Sequence, residues 1–96
     1  MKEFVPECGA VVRSKAGRDA GRCFVVLKTE GGRYAWLADG TLRKVQNPKK
    51  KKYMHLDVLP CRAEGIRELT EAGRLTDADV RKALKASGME SPKEDA

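Results

Sequence analysis

Apolar and polar residues alternate over short distances between residues 9 and 59, and glycines and prolines interrupt the apolar stretches at close spacing. This pattern is typical of a small, mainly β fold built from short strands. The spacing predicts five strands, at residues 9–14, 23–30, 33–38, 41–46 and 55–59. In the third strand, alternation places Tyr34 and Trp36 on one face and Ala35 and Leu37 on the other.

Turn residues separate the predicted strands. Gly31-Gly32 and Asp39-Gly40 supply the positive φ angles that tight hairpin turns need, so a hairpin is expected at each pair. Asn47-Pro48 ends the fourth predicted strand, because proline has no N–H to donate to a strand ladder. The basic run Lys49–Lys52 follows outside any predicted strand, and the fifth strand ends before Pro60.

Beyond Pro60 the apolar spacing changes to that of helices. Ile66, Leu69 and Ala72 recur every three residues, and Gly73 stands where a helix would end. A second helix is predicted from Thr76, a good N-cap with Asp79 three residues later, and its apolar stripe is formed by Val80, Ala83 and Leu84. The chain therefore divides into a β unit at 1–61, a short helical C-terminal extension at 62–87 and a disordered tail at 88–96.

A resemblance to a known family is carried by residues 9–27. The stretch Gly-Ala-Val-Val-Arg-Ser-Lys-Ala-Gly-Arg-Asp-Ala-Gly-Arg, followed by Cys-Phe-Val-Val-Leu, resembles a KOW motif, and Gly21 resembles the characteristic glycine of that family. Residues 37–40, 42–44 and the lysine run ending near Leu56 are similar to the archaeal and eukaryotic large-subunit ribosomal protein fourteen family. The three cysteines, Trp36 and the helical extension depart from the ribosomal pattern.

The resemblance implies a fold and a partner. KOW proteins use a small five-stranded SH3-like barrel to bind RNA or other components of ribosomes and polymerases. We therefore expect a KOW-type barrel with a short helical tail that binds RNA, ribosomal RNA above all, with ribosomal proteins as further candidate partners.

The distribution of charge favours the same partner independently of the resemblance. The 96 residues carry a formal net charge of +6. Residues 1–61 hold thirteen basic and six acidic side chains, whereas the remainder holds seven and eight, so the excess belongs to the β unit. A compact basic unit attracts polyanions, of which nucleic acids are the commonest in a cell.

Other function classes find little support in the sequence. The three cysteines lie far apart and form no C-x-x-C pair, which indicates a reducing compartment and neither a disulfide framework nor a zinc site. Cys23, inside an apolar run, is interpreted as a small buried hydrophobe. The first residues lack the apolar stretch that a secretory signal needs, and no segment approaches the length of an apolar membrane span, so a soluble cytoplasmic protein is expected. No catalytic motif, cofactor site or small-molecule site is recognised, and the chain is not expected to be an enzyme.

Two basic segments are the candidate RNA contacts. The first is the end of the first strand and the loop after it, where long cationic side chains can meet phosphate oxygens. Its glycines are interpreted as structural, since turns require them. The second runs from Thr41 to Leu56, where six basic residues occur without an acid. The candidate residues are Arg13, Lys15, Arg18, Arg22, Arg43, Lys44, Lys49, Lys50, Lys51, Lys52, Tyr53 and His55.

Each candidate has a plainer interpretation. The lysine run could be a solvated segment that only aids solubility. Tyr34 and Trp36 are interpreted mainly as core residues, while Tyr53, beside the lysines, could stack on a base. The sole histidine, His55, is a structural residue or a simple contact and not a catalytic base. The alternative function is a protein-interaction adaptor that uses the barrel, or the helix bearing Val80 and Leu84, to bind a partner protein.

Overall fold

The computed structural model describes residues 7–15, 17–63 and 65–88, apart from the side chains of residues 19 and 61. Within these ranges the fold is mainly β, with five strands and two short helices. The elements are β1 Ala10–Ser14, β2 Cys23–Glu30, β3 Tyr34–Ala38, β4 Lys49–Lys52, β5 Leu56–Arg62, α1 Ile66–Glu71 and α2 Asp77–Ala86. Single 3₁₀ turns occur at Gly17–Asp19 and Tyr53–His55.

The strands form one antiparallel sheet in the order β4-β3-β2-β1-β5. Strands β1 to β4 follow one another as neighbours, and β5 returns to pair with β1 on the far side. The two edge strands, β4 and β5, are consecutive in the chain and are joined by the 3₁₀ turn Tyr53–His55. The described strands do not pair β4 with β5, so the sheet is not closed.

Buried side chains form a cluster on each face of the sheet. The first, here called the helix-side cluster, joins strand residues such as Val11, Val25 and Ala38 to helix residues. Its helix members are Ile66, Val80 and Leu84. The opposite cluster consists of Ala10, Val12, Phe24, Val26, Ala35, Leu37 and Leu56, with Tyr53 and Val58 packed against it. The helices of the predicted extension thus share a core with the sheet.

Several sequence predictions are confirmed. Strand β2 has the predicted bounds, because its run of β-branched and aromatic residues has a buried partner on both faces. Ala35 and Leu37 are buried while Tyr34 and Trp36 are half exposed, as alternation requires. Cys23 is a buried member of the helix-side cluster.

The predicted fourth strand at 41–46 is wrong. Asp39 is buried, and its Oδ1 accepts hydrogen bonds of 2.9 Å from the backbone N–H groups of Thr41 and Arg43. These amides are therefore bonded locally and cannot join a strand ladder. Asp39-Gly40 consequently begins a connection over residues 39–48 and not a two-residue hairpin.

The lysine run itself provides the fourth strand. Lys49–Lys52 pairs with β3 in register, from Leu37 opposite Lys49 to Tyr34 opposite Lys52. Lysines suit an edge strand because their charges discourage pairing with another chain. Backbone hydrogen bonds to β3 hold this segment, although its side chains have low strand propensity.

The fifth strand is longer than predicted and passes through Pro60 to Arg62. It lies at an edge of the sheet, and its register with β1 shifts between Val12, opposite Val58, and Ala10, opposite Arg62. Proline is tolerated at such irregular edge positions because no ladder N–H is needed there. The predicted disordered tail lies outside the described residues, except for Gly88. Neither described helix is long and apolar enough to cross a bilayer.

The predicted N-cap of α2 is confirmed as a capping box. Thr76 accepts a hydrogen bond from the Asp79 N–H, and Asp79 Oδ2 accepts from the Thr76 N–H at 3.0 Å and from its hydroxyl at 2.9 Å. Hydrogen bonds from the Thr76 side chain, and then from its backbone, hold the pKa of Asp79 below its ordinary value of 3.8.

This capping box predicts a specific pH dependence of stability. A carboxyl group whose pKa is lowered by folding stabilises the fold when the pH is above the pKa of that group in the unfolded chain. This stabilisation is lost as the pH falls through the pKa of the group in the folded chain. We expect Asp79→Asn to weaken the fall in the free energy of unfolding between about pH 5 and pH 2. Urea denaturation across that range measures it, and equal pH dependence in both proteins would contradict the assignment.

Candidate nucleic-acid interface

The loop between β1 and β2 is tied at its base by backbone hydrogen bonds. The Ser14 N–H donates to the Arg22 carbonyl at 2.9 Å, and the Gly21 N–H donates to the Ser14 carbonyl at 2.8 Å. Gly21 adopts a φ of 87°, which favours glycine. The loop therefore presents its cations from a fixed base, with Lys15 and Arg18 exposed and Arg22 half exposed.

This loop lies against β4 and the 3₁₀ turn that follows it. The Lys15 N–H donates to the His55 carbonyl at 2.8 Å. A Cβ placed on Gly17 would lie 3.6 Å from Nζ of Lys51. The two basic segments predicted separately from the sequence thus meet in the fold, and we call this surface the loop–strand surface: Lys15, Arg18, Arg22, Lys49, Lys51 and His55.

The lysines of β4 alternate between the two faces of the sheet. Lys49 and Lys51 are opposite Leu37 and Ala35, while Lys50 and Lys52 are opposite Trp36 and Tyr34. Residues directly opposite in an antiparallel pair share a face. The lysine run is thus an ordered strand that directs charge to both sides of the edge.

Half-exposed aromatic rings lie beside Lys50, one of the second pair of lysines. Lys50 Nζ is 4.6 Å from the centroid of Tyr34 and 5.6 Å from that of Trp36, and Lys28 Nζ is 5.6 Å from the Trp36 ring. The Trp36 Nε1–H donates to Glu30 Oε1 at 3.3 Å, and Glu30 Oε2 lies 3.5 Å from Lys50 Nζ. We call Lys28, Tyr34, Trp36 and Lys50 the aromatic–lysine face.

Lys28 is not among the contacts that the sequence predicts, although it lies beside Trp36 in the fold. Simple alternation in β2 places Lys28 on the face of Val26, away from Trp36. The register shift between Val26 and Lys28 instead brings Lys28 opposite Trp36. A bulge of this kind redirects side chains, and no residue in the run 23–30 signals it. The aromatic expectation also changes, because Tyr34 and Trp36 are half exposed, as Tyr53 is, and Tyr53 packs against the opposite cluster.

Arg13, Arg43 and Lys44, which are also predicted contacts, are not part of the loop–strand surface. Arg43 and Lys44 belong to the 39–48 connection, in which Arg43 is half buried and Lys44 exposed. Arg13 is exposed on β1 opposite Asp57, which also lies 3.7 Å from Lys15 Nζ. An exposed pair of this type contributes little stability, so Lys15 can exchange it for a phosphate at small cost.

Metal ligands and reactive thiols have little support among the described residues. No three His, Cys, Asp or Glu side chains there are grouped so that they could hold a metal ion. Cys8 is half buried, and burial raises the pKa of its thiol, which makes it a poor nucleophile at neutral pH.

No family model matches this chain, and no curated protein matches it.

Proposed function

We propose that this protein is an RNA-binding module of the KOW type that holds structured RNA, ribosomal RNA above all, on the loop–strand surface. The observation that carries the proposal is the approach of the β1–β2 loop to β4, with Gly17 beside Lys51. Two basic segments, at residues 15–22 and 49–52, are separated by 26 residues in the sequence but converge at one edge of the sheet. A surface that gathers cations in this way is suited to a phosphate backbone.

The fold supports the KOW interpretation in a second way. Five strands in one antiparallel sheet, four in a meander and a fifth that returns to β1, support the five-stranded SH3-like fold that the resemblance implies, and its closure into a barrel is part of the proposal. The loop that carries the KOW-like residues connects β1 and β2, and Gly21 has the positive φ that explains its presence there. The same loop supplies Lys15, Arg18 and Arg22 to the surface.

The proposed mechanism is electrostatic anchoring on an ordered scaffold. Lysine ammonium groups act as point charges, which suits contact with phosphates more than recognition of a particular base. If about five phosphates are neutralised, log affinity falls against log salt with a slope between roughly −3.5 and −4.5. A flat salt response would contradict this mechanism.

A double substitution tests the surface directly. We expect Lys49→Gln with Lys51→Gln to weaken binding of an RNA hairpin, and to reduce the magnitude of the salt slope by about 1.4 to 1.8, because two phosphate contacts are lost. Fluorescence anisotropy of labelled RNA across a salt series measures both quantities. Glutamine is uncharged and keeps part of the aliphatic stem, so the strand should keep its pairing with β3.

The matched control removes the same charge elsewhere. Lys82 and Lys85 are exposed on α2, and Lys82→Gln with Lys85→Gln should leave the slope nearly unchanged. Equal losses in both double variants would show that only net charge matters. If the β4 variant instead aggregates while its RNA affinity is kept, the lysines serve only to protect the edge, and the proposal fails.

The adaptor alternative loses part of its basis in this fold. Val80 and Leu84, its proposed docking residues, are 0% and 2% exposed and pack against the sheet. That face of α2 is therefore occupied within the chain. Removing the helices by truncating the chain after Pro60 would not test whether they bind a partner protein, because the truncation would also cut β5 and remove core residues.

A further inference from the structure

We infer that an unpaired RNA base stacks on Trp36 in the cleft between the sheet and the helices; this deepens the proposed function and rests on it. The cleft has a volume of about 440 Å³. Its apolar walls come from three parts of the chain: Leu27 and Trp36 on the sheet, Val45 and Pro48 in the 39–48 connection, and Leu75 before α2. Ligand pockets in proteins are commonly of this size and are mostly apolar.

The charges around the cleft identify the kind of ligand. Lys28 lines the cleft itself, and Lys50 reaches the same indole ring from β4. An apolar slot with an aromatic wall and two lysines beside it complements a ligand with a flat π-face and a nearby negative charge. A nucleotide whose base is splayed from its strand has both features.

The indole makes a side-chain hydrogen bond at the edge of the cleft. Its Nε1–H donates to Glu30, which also lies close to Lys50, so a carboxylate links the ring to the edge strand. Trp36 is nevertheless half exposed, and the neighbouring lysines are flexible side chains that can move aside to contact phosphates. A half-exposed ring on a strand of the sheet is suited to stacking, which tolerates any base because every base has a π-face.

The cleft adjoins the loop–strand surface through β4. Pro48 lines the cleft and directly precedes Lys49, and Trp36 is opposite Lys50. A strand of RNA held by Lys49 and Lys51 at one face of this edge would need only to cross β4 to place a base against Trp36. The inference therefore concerns RNA with unpaired residues, such as a loop or bulge, and not a continuous duplex.

Trp36 provides its own reporter, because it is the single tryptophan of the chain. We expect a single-stranded oligoadenylate to quench its fluorescence, whereas an abasic ribose-phosphate strand of equal length should bind through charge with little quenching. Trp36→Leu should weaken oligoadenylate binding roughly 5- to 150-fold, and Trp36→Phe should retain most of the affinity. Both affinities are measured by anisotropy.

The outcomes separate this inference from the proposed function. If abasic and base-bearing strands behave alike, or if Trp36→Leu binds as the wild type does, the base site is overturned, while the Lys49 and Lys51 slope still decides the RNA surface. The fluorescence comparison uses the unaltered chain, so it holds even if Trp36→Leu fails to fold. Quenching by an aromatic acidic peptide, with no response to RNA, would overturn both proposals.

Discussion

Leu84→Ala is expected to lower the free energy of unfolding of the whole chain by about 2 to 5 kcal/mol. Leu84 is 2% exposed and belongs to the same cluster as Val25 and Ala38 of the sheet. Removing its branched side chain leaves a cavity between the helices and the sheet. For a domain with a total stability of about 5 to 15 kcal/mol, this loss is a large fraction.

The measurement distinguishes one cooperative unit from two. Trp36 fluorescence reports the surroundings of β3 in the cleft beside the helices, and far-ultraviolet circular dichroism reports mainly the helices, so urea unfolding can be followed by both. We expect the two transitions of Leu84→Ala to shift together. Lys82→Ala, an exposed change on the same helix, should stay within about 0.5 kcal/mol of the wild type. If only the dichroism transition moves, the helices form an appendage and not part of the core.

The sequence was informative where local pattern and burial agree. Strand β2 was predicted with its bounds, because a run of apolar residues between Arg22 and the Gly31-Gly32 turn admits few other structures. The capping box at Thr76 and the stripe of Val80 and Leu84 followed from side-chain chemistry and helical spacing. These features depend on residues close together in the chain.

The missed features depend on contacts between distant segments. Asp39 accepts hydrogen bonds from the amides of residues 41 and 43, so residues 41–46 have a strand-like pattern but no partner strand. Strand β3 pairs instead with Lys49–Lys52, beyond the 39–48 connection. Tertiary pairing overrides propensity here. The same limit applies to the site: the basic loop and the basic run were both recognised, but only the fold shows that Gly17 lies beside Lys51.

The docking of α2 on the 39–48 connection gives the second large expected effect. Gly40 has a φ of 82°, and a Cβ at that position would lie 2.5 Å from the Asp77 carbonyl oxygen and 2.8 Å from Cγ of Arg81. Arg81 Nη1 donates to the Gly40 carbonyl at 2.7 Å, and Asp77 Oδ1 accepts from the Val45 N–H at 2.7 Å. The backbone of the connection and the first turn of α2 are therefore in direct contact.

We expect Gly40→Ala to lower the free energy of unfolding by about 2 to 5 kcal/mol, from the cost of a positive φ and the cost of overpacking. Gly31→Ala is the matched control, because Gly31 also has a positive φ, of 61°, but a Cβ there would meet nothing within 4 Å. It should cost roughly 1 to 2 kcal/mol. The difference between the two variants in urea denaturation isolates the close approach of α2, and equal losses would contradict it.

Because Val45 and Pro48 of this connection line the Trp36 cleft, a folded Gly40→Ala protein should also bind unpaired RNA less tightly than Gly31→Ala does.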